Sequence, residues 1–123
     1  MADDNELTRR IIGCAIDVHR VLGPCLRERS YEEALALEFS AQGIEFDRQP
    51  IIGVTYRDRC VGDYRIDFVV ESAVVVEVKS VSRFDPVFEA QILGYLRASG
   101  LRLGLLLNFN SARLADGVKR YIR

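Results

Sequence analysis

Two carboxylates and one ammonium, Asp67, Glu77 and Lys79, are the side chains of this 123-residue sequence best placed for chemistry. Glu77 and Lys79 interrupt the apolar run at 73–79, Ala-Val-Val-Val-Glu-Val-Lys. A strand turns successive side chains to opposite faces, so the two charges share a face. In the preceding stretch Tyr64, Ile66 and Phe68 alternate with Arg65, Asp67 and Val69, which makes Asp67 the acidic member of the other face. If the stretches form a hairpin in which Val70 faces Val74, Asp67 lies directly opposite Glu77. A two-residue turn would pair Asp67 with Val76 and send Glu77 to the far face, so an odd connection of about three residues is required.

Carboxylates ~5 Å apart across a ladder repel, and a divalent cation removes the conflict. Hard oxygen ligands suit Mg²⁺ or Mn²⁺, with the backbone carbonyl of Val78 as a third ligand and water and a substrate phosphate completing the shell. Lys79 would help hold or deprotonate the attacking water and offset charge on the phosphate. The competing reading is structural: Lys79 marks a strand end and pairs with Glu77, while Asp67 pairs with Arg65 or a neighbour.

Several elements must position these groups. At 5–22 the residues Leu7, Ile11, Ile12, Ala15, Ile16, Val18 and Leu22 recur at helical steps, and Gly23-Pro24 stops the helix. A second helix covers 28–42, with Tyr31, Ala34, Leu35, Glu38 and Phe39 on one stripe and Gly43 as its cap. Strands follow at 51–57, 61–70 and 73–81, short connections making them an antiparallel meander. A third helix at 86–99 ends at Gly100, 103–108 reads as a buried strand, and a last helix covers 112–120. The order is α, α, β, β, β, α, β, α in one α/β domain spanning 1–123.

Composition bounds the partners. With 17 basic and 18 acidic residues the net charge is −1, so nucleic-acid affinity has to come from local clusters such as Arg57 and Arg59, or Lys119, Arg120 and Arg123. Three cysteines without CxxC spacing read as reduced thiols of a cytoplasmic protein. No apolar run approaches the ~18 residues of a membrane span.

The Asp, followed about ten residues later by Glu-x-Lys after an apolar run, resembles the PD-(D/E)xK nuclease superfamily. Gln91 and Tyr95, at i and i+4 on one helix face, match the QxxxY motif of its RecB-like branch. Over nearly the whole length the chain is similar to the GxxExxY protein family of that superfamily: His19, Leu22-Gly23-Pro24, Glu28, Tyr31, Gln49, Gly62-Asp63-Tyr64-Arg65, Asp67, Glu77-Val78-Lys79, Gln91, Tyr95, 105–109 and Lys119-Arg120. The glycine that names the family falls at Cys25, so this loop either changes conformation or uses the glycine for packing. The resemblance implies a restriction-endonuclease-like core, a mixed sheet made of the meander and one further strand, flanked by helices. It implies a metal-dependent phosphodiesterase acting on nucleic acid, with DNA ahead of RNA. Asp67 and Glu77 would be ligands, Lys79 the catalytic cation, and Glu28, Gln91 and Tyr95 supporting residues. Against each stands a plainer role: Glu28 as a first-turn helix acid, Tyr95 as core, Gln91 as surface. His19 reads either as a ligand or as a donor to the last carbonyls of its helix. Two other functions remain open, a weak or inactive nuclease-fold module that binds nucleic acid or protein, and a homodimer built on apolar helix faces.

Overall fold

Leu7, Ile11, Cys14, Ala15 and Val18 are buried along one side of α1 (Asp4–Leu22), the spacing of an amphipathic helix. These observations come from a computed structural model that describes residues 4–123; residues 1–3 of the expected domain lie outside the described residues. Gly23, at φ 68°, ends α1, and its N–H bonds the His19 carbonyl at 2.8 Å. α2 (Glu28–Ala41) buries Tyr31, Leu35, Ala36 and Phe39. α3 (Pro86–Ser99) starts at a proline, is capped by the Asp85 side chain on the Val87 N–H at 2.9 Å, and ends at Gly100 in the left-handed region.

The described strands are β1 (Phe46–Arg48), β2 (Ile51–Tyr56), β3 (Arg59–Arg65), β4 (Phe68–Val70), β5 (Val74–Lys79), β6 (Leu103–Asn108) and β7 (Val118–Ile122). Five of them form one sheet in the order β1-β4-β5-β6-β7, parallel between β5 and β6 and antiparallel elsewhere. The parallel pair needs a crossover, and α3 supplies it. With three helices on its faces this mixed sheet is the expected α/β, restriction-endonuclease-like core. None of the described helices is long and apolar enough to cross a membrane.

The structure corrects the strand boundaries at three places. The expected strand at 61–70 breaks at Ile66 and Asp67, so the meander is divided: β3 pairs with β2 in a separate hairpin, while β4 pairs with β1 and β5. Strict alternation fails there because Ile66 packs under α3 whereas Phe68 packs under α1 and α2. The short strand β1 has a single apolar member, Phe46, followed by Asp47 and Arg48, too little for an alternation to be read. The expected helix at 112–120 is a 3-10 turn (Leu114–Gly117) followed by β7. Pairing β7 onto β6 covers what would be an open edge of five buried residues, and that gain overrides local helix propensity.

The register between β4 and β5 is the one the site requires, with Phe68 facing Val76 and Val70 facing Val74. Its connection is Glu71, Ser72 and Ala73, with Glu71 and Ser72 at φ 53° and 54° and the Ala73 N–H on the Val70 carbonyl at 3.0 Å. Two cores result. Val74, Val76, Val78, Leu103, Leu105 and Leu107 pack onto α1 and α2; Val75 and Leu106 pack with Ile92, Tyr95 and Leu96 of α3.

Candidate active site

Because β4 starts only at Phe68, the main-chain groups beside Asp67 are left to side chains. The Asp67 N–H donates to Glu77 Oε1 at 2.9 Å, and the Val78 N–H donates to Asp67 Oδ2 at 2.8 Å. Glu77 is thus fixed by the amide of Asp67, and Asp67 by an amide of Glu77's strand, with the two residues opposite one another as the register predicts. Glu77 is only 5% exposed, and Asp67 is half-buried.

Lys79 shares the α3 face with Glu77. Its Nζ donates to Gln91 Oε1 at 3.4 Å and lies 4.5 Å from the centroid of the Phe88 ring. Tyr95, one turn beyond Gln91, is buried and meets Tyr64 edge-on at 4.9 Å. Asp67, Glu77, Lys79, Gln91 and Tyr95 are therefore brought together. The α3 signal was legible as an i, i+4 pair, and the β3 tyrosine was not.

Glu28 is exposed on the first turn of α2, and its charge acts on Asp67 through space. The residue that reaches the site from that helix is Glu32, one turn later. Gln49 bonds Glu32 through its amide, approaches Asp67 Oδ1 at 3.4 Å with the same nitrogen, and donates its main-chain N–H to the Asp67 carbonyl at 2.9 Å. It does so at φ 57°, a conformation uncommon for glutamine. Gln49 had no assigned role in the sequence, and Glu32 was overlooked. The i, i+4 spacing of Glu28 and Glu32, off the stripe of Tyr31, Leu35 and Phe39, is the signal that could have found it.

Burial raises the Glu77 carboxyl to about 8, and the neighbouring Asp67 adds to the rise. Asp67 is raised as well, by burial first, although the Val78 N–H opposes the shift and Glu32 reinforces it. The Tyr95 hydroxyl is pushed up by burial and by both carboxylates, so it remains a donor. A buried and a half-buried acid on one face, with both carboxyls raised, are a donor set that a hard divalent cation fits. Among the described residues no three His, Cys, Asp or Glu side chains gather at one point, so such an ion would also need a backbone oxygen and water. The Lys79 carbonyl accepts from the Phe109 N–H at 2.8 Å toward β6. Carbonyls alternate edges along a strand, so that of Val78 faces the Asp67 side, like its N–H.

Other singled-out residues prove structural in their contacts. His19 Nε2 lies 2.9 Å from the Ser111 carbonyl, which can only accept, so that nitrogen carries the proton and is not free to ligate. Asn108 bonds Val81 through both its amide atoms, at 3.1 and 3.0 Å, and so fixes the chain leaving β5. Tyr31 is fully buried, stacks on Phe109 at 4.6 Å, donates to the Gly23 carbonyl at 2.5 Å and accepts from the Leu26 N–H at 3.1 Å. Ser80 Oγ donates to the Leu26 carbonyl at 2.5 Å, which fastens this loop to the end of β5. Within it Cys25 takes φ 80°, a left-handed conformation uncommon for a residue with a side chain.

No curated protein and no solved structure matches the chain. The sequence model of the PD-(D/E)XK nuclease superfamily matches residues 5–121, a span that contains every residue of the site. The chain belongs to the PD-(D/E)XK nuclease superfamily.

Proposed function

We propose that the protein is a Mg²⁺- or Mn²⁺-dependent phosphodiesterase that hydrolyses nucleic acid, DNA ahead of RNA. Membership of the superfamily supports nuclease-type activity on a nucleic-acid substrate. The observation that carries the finer reading is the reciprocal bonding of Asp67 and Glu77, which presents a buried and a half-buried carboxylate on the face of Lys79. Asp67, Glu77 and the Val78 carbonyl would hold the ion, which when bound supplies Lewis-acid stabilisation of the phosphodiester. Lys79 Nζ holds water on the attacking side and offsets charge on the phosphate oxygens. Gln91 accepts from that ammonium and orients it. Tyr95, kept protonated, donates into the site, and Glu28 and Glu32 order water on the outer side of Asp67.

Gln91 and Tyr95 on one face of α3 support the QxxxY branch; Tyr31 holding a loop with a left-handed residue at 25 supports the GxxExxY family. We place this function in one domain of residues 1–123. Three free cysteines are compatible with a cytoplasmic setting, and exposed Leu22, Leu26 and Leu37 with a homodimer. The net charge of −1 favours the second reading, a weak or inactive module that binds nucleic acid or a protein.

Cleavage of single-stranded, duplex and branched DNA and RNA with Mg²⁺ or Mn²⁺ tests the proposal by comparing wild type with Lys79→Ala. The variant should lose ~10²–10³-fold in rate. Equal cleavage by the two preparations sinks the enzyme reading for these residues. Calorimetric Mn²⁺ binding that disappears in Glu77→Gln, with no cleavage by either, would favour the second reading.

A further inference from the structure

β7 separates two basic residues that are adjacent in sequence. Leu106 pairs with Glu77 on one side and with Lys119 on the other. These three residues form a row across the α3 face, with two strand spacings, or ~10 Å, between Glu77 and Lys119. Arg120 pairs with Leu105, turns to the opposite face and bonds Asn5 Oδ1 at 3.1 Å. Only Lys119 of the two is presented on the face that carries Glu77 and Lys79.

Between the two lysines lie two aromatic rings. Lys119 Nζ is 4.4 Å from the centroid of Phe84, Lys79 Nζ is 4.5 Å from that of Phe88, and the rings meet edge to face at 5.8 Å. Phe84 and Phe88 are half-buried, packed on the core beneath α3 without being enclosed by it. Of the acids nearest in sequence, the Asp85 carboxylate is turned onto the Val87 N–H at 2.9 Å, and Glu89 lies toward Tyr121, which shares the face of Lys119 two residues further along β7. A path of cation, ring, ring and cation thus runs from Lys79 to the β7 edge.

Cations interleaved with accessible rings suit an unpaired nucleotide strand, because only an unstacked base can lay its face on a ring while its phosphate meets an ammonium. An exposed cation–ring contact is weak, so Lys119 can exchange Phe84 for a phosphate at small cost. We propose that Lys119, Phe84 and Phe88 form a subsite for single-stranded nucleic acid. Lys119 pairs with the phosphate next to, or one beyond, the scissile one, and Phe84 stacks the base. The inference rests on the nuclease reading of the Asp67–Glu77 site.

Fluorescence anisotropy of labelled single-stranded and duplex oligonucleotides of one sequence, in EDTA over a range of salt, tests it without turnover. Single-strand affinity should fall by roughly 5- to 100-fold in Phe84→Ala and in the better-packed Phe84→Leu. Lys119→Met should flatten the single-strand salt slope by about 0.7, one phosphate contact. Arg120→Met should change neither. The subsite is overturned if wild type fails to bind the single strand, if duplex binds as tightly and Phe84→Leu has no effect, or if Lys119→Met and Arg120→Met behave alike. Binding with the expected pattern but no cleavage with Mg²⁺ or Mn²⁺ sinks the nuclease reading alone. Cleavage whose KM for single strands ignores Lys119→Met sinks the subsite alone.

Discussion

The two faces of β5 use the same backbone for different ends. Toward α1 and α2, Val74, Val76 and Val78 are all buried, and Leu103, Leu105 and Leu107 of β6 continue the apolar layer to the strand's end. Toward α3, Val75 is buried against Ile92 and Leu96, but the next two residues on that face are Glu77 and Lys79. The apolar layer stops where the charges begin. A carboxylate pair at odds with its surroundings persists because the opposite face supplies the packing, and hydrogen bonds from Asp67 and Val78 leave its geometry no freedom.

Exchanging damage between the faces is the strongest way to break this contrast. Lys79→Ala should cost at least ~100-fold in cleavage rate while moving stability by no more than ~0.5 kcal/mol. Leu105→Ala should do the reverse, removing ~2–5 kcal/mol in urea denaturation with activity per folded molecule retained. If either variant moved both quantities strongly, the division of labour between faces would be wrong.

Acidity sharpens it further. Folded Glu77 holds its proton up to about 8, against 4.5 ordinarily, so between those values unfolding releases a proton. The ion-free chain should therefore lose stability from this group as pH rises through that window, by an amount on the order of a few kcal/mol. Glu77→Gln should flatten the decline in thermal melts, and Mg²⁺ or Mn²⁺ should restore wild-type stability at the alkaline end. A wild-type profile unchanged by the substitution would show that the carboxylate is not held out of its ordinary range.

The smallest effect belongs to the loop on the packing side of the site. Cys25 at φ 80° carries a penalty that glycine lacks, so Cys25→Gly should stabilise the chain by about 1 kcal/mol. An unchanged or lowered denaturation midpoint would mean that the thiol's own contacts outweigh the backbone cost.

The helices were legible because periodicity and caps act locally: Pro86, Asp85 and Gly100 bound α3 wherever it packs. The register of β4 and β5 was legible because the face shared by two charges demanded one turn length. What escaped depends on distant partners. β7 is a strand only because β6 needs an edge, and the break at Ile66 exists because consecutive segments serve different sheets. Gln49 and Glu32 escaped for the same reason, since their tie to Asp67 spans 18 residues in one case and is relayed in the other.

That break also gives the molecule a modular joint. The Gln49 N–H bonds the Asp67 carbonyl at 2.9 Å and the Ile66 N–H bonds the Pro50 carbonyl at 3.1 Å, so the β2–β3 excursion is closed at its root. Its tip, Arg57 and Asp58, is a two-residue turn with both φ values positive, far along the ladder from that clasp. Lengthening the hairpin at its tip, or grafting a recognition peptide there, leaves the register of β4 and β5 untouched while delivering the addition from a stem rooted at Asp67. The stem is a socket that can take added residues without rebuilding the sheet that holds Asp67 and Glu77.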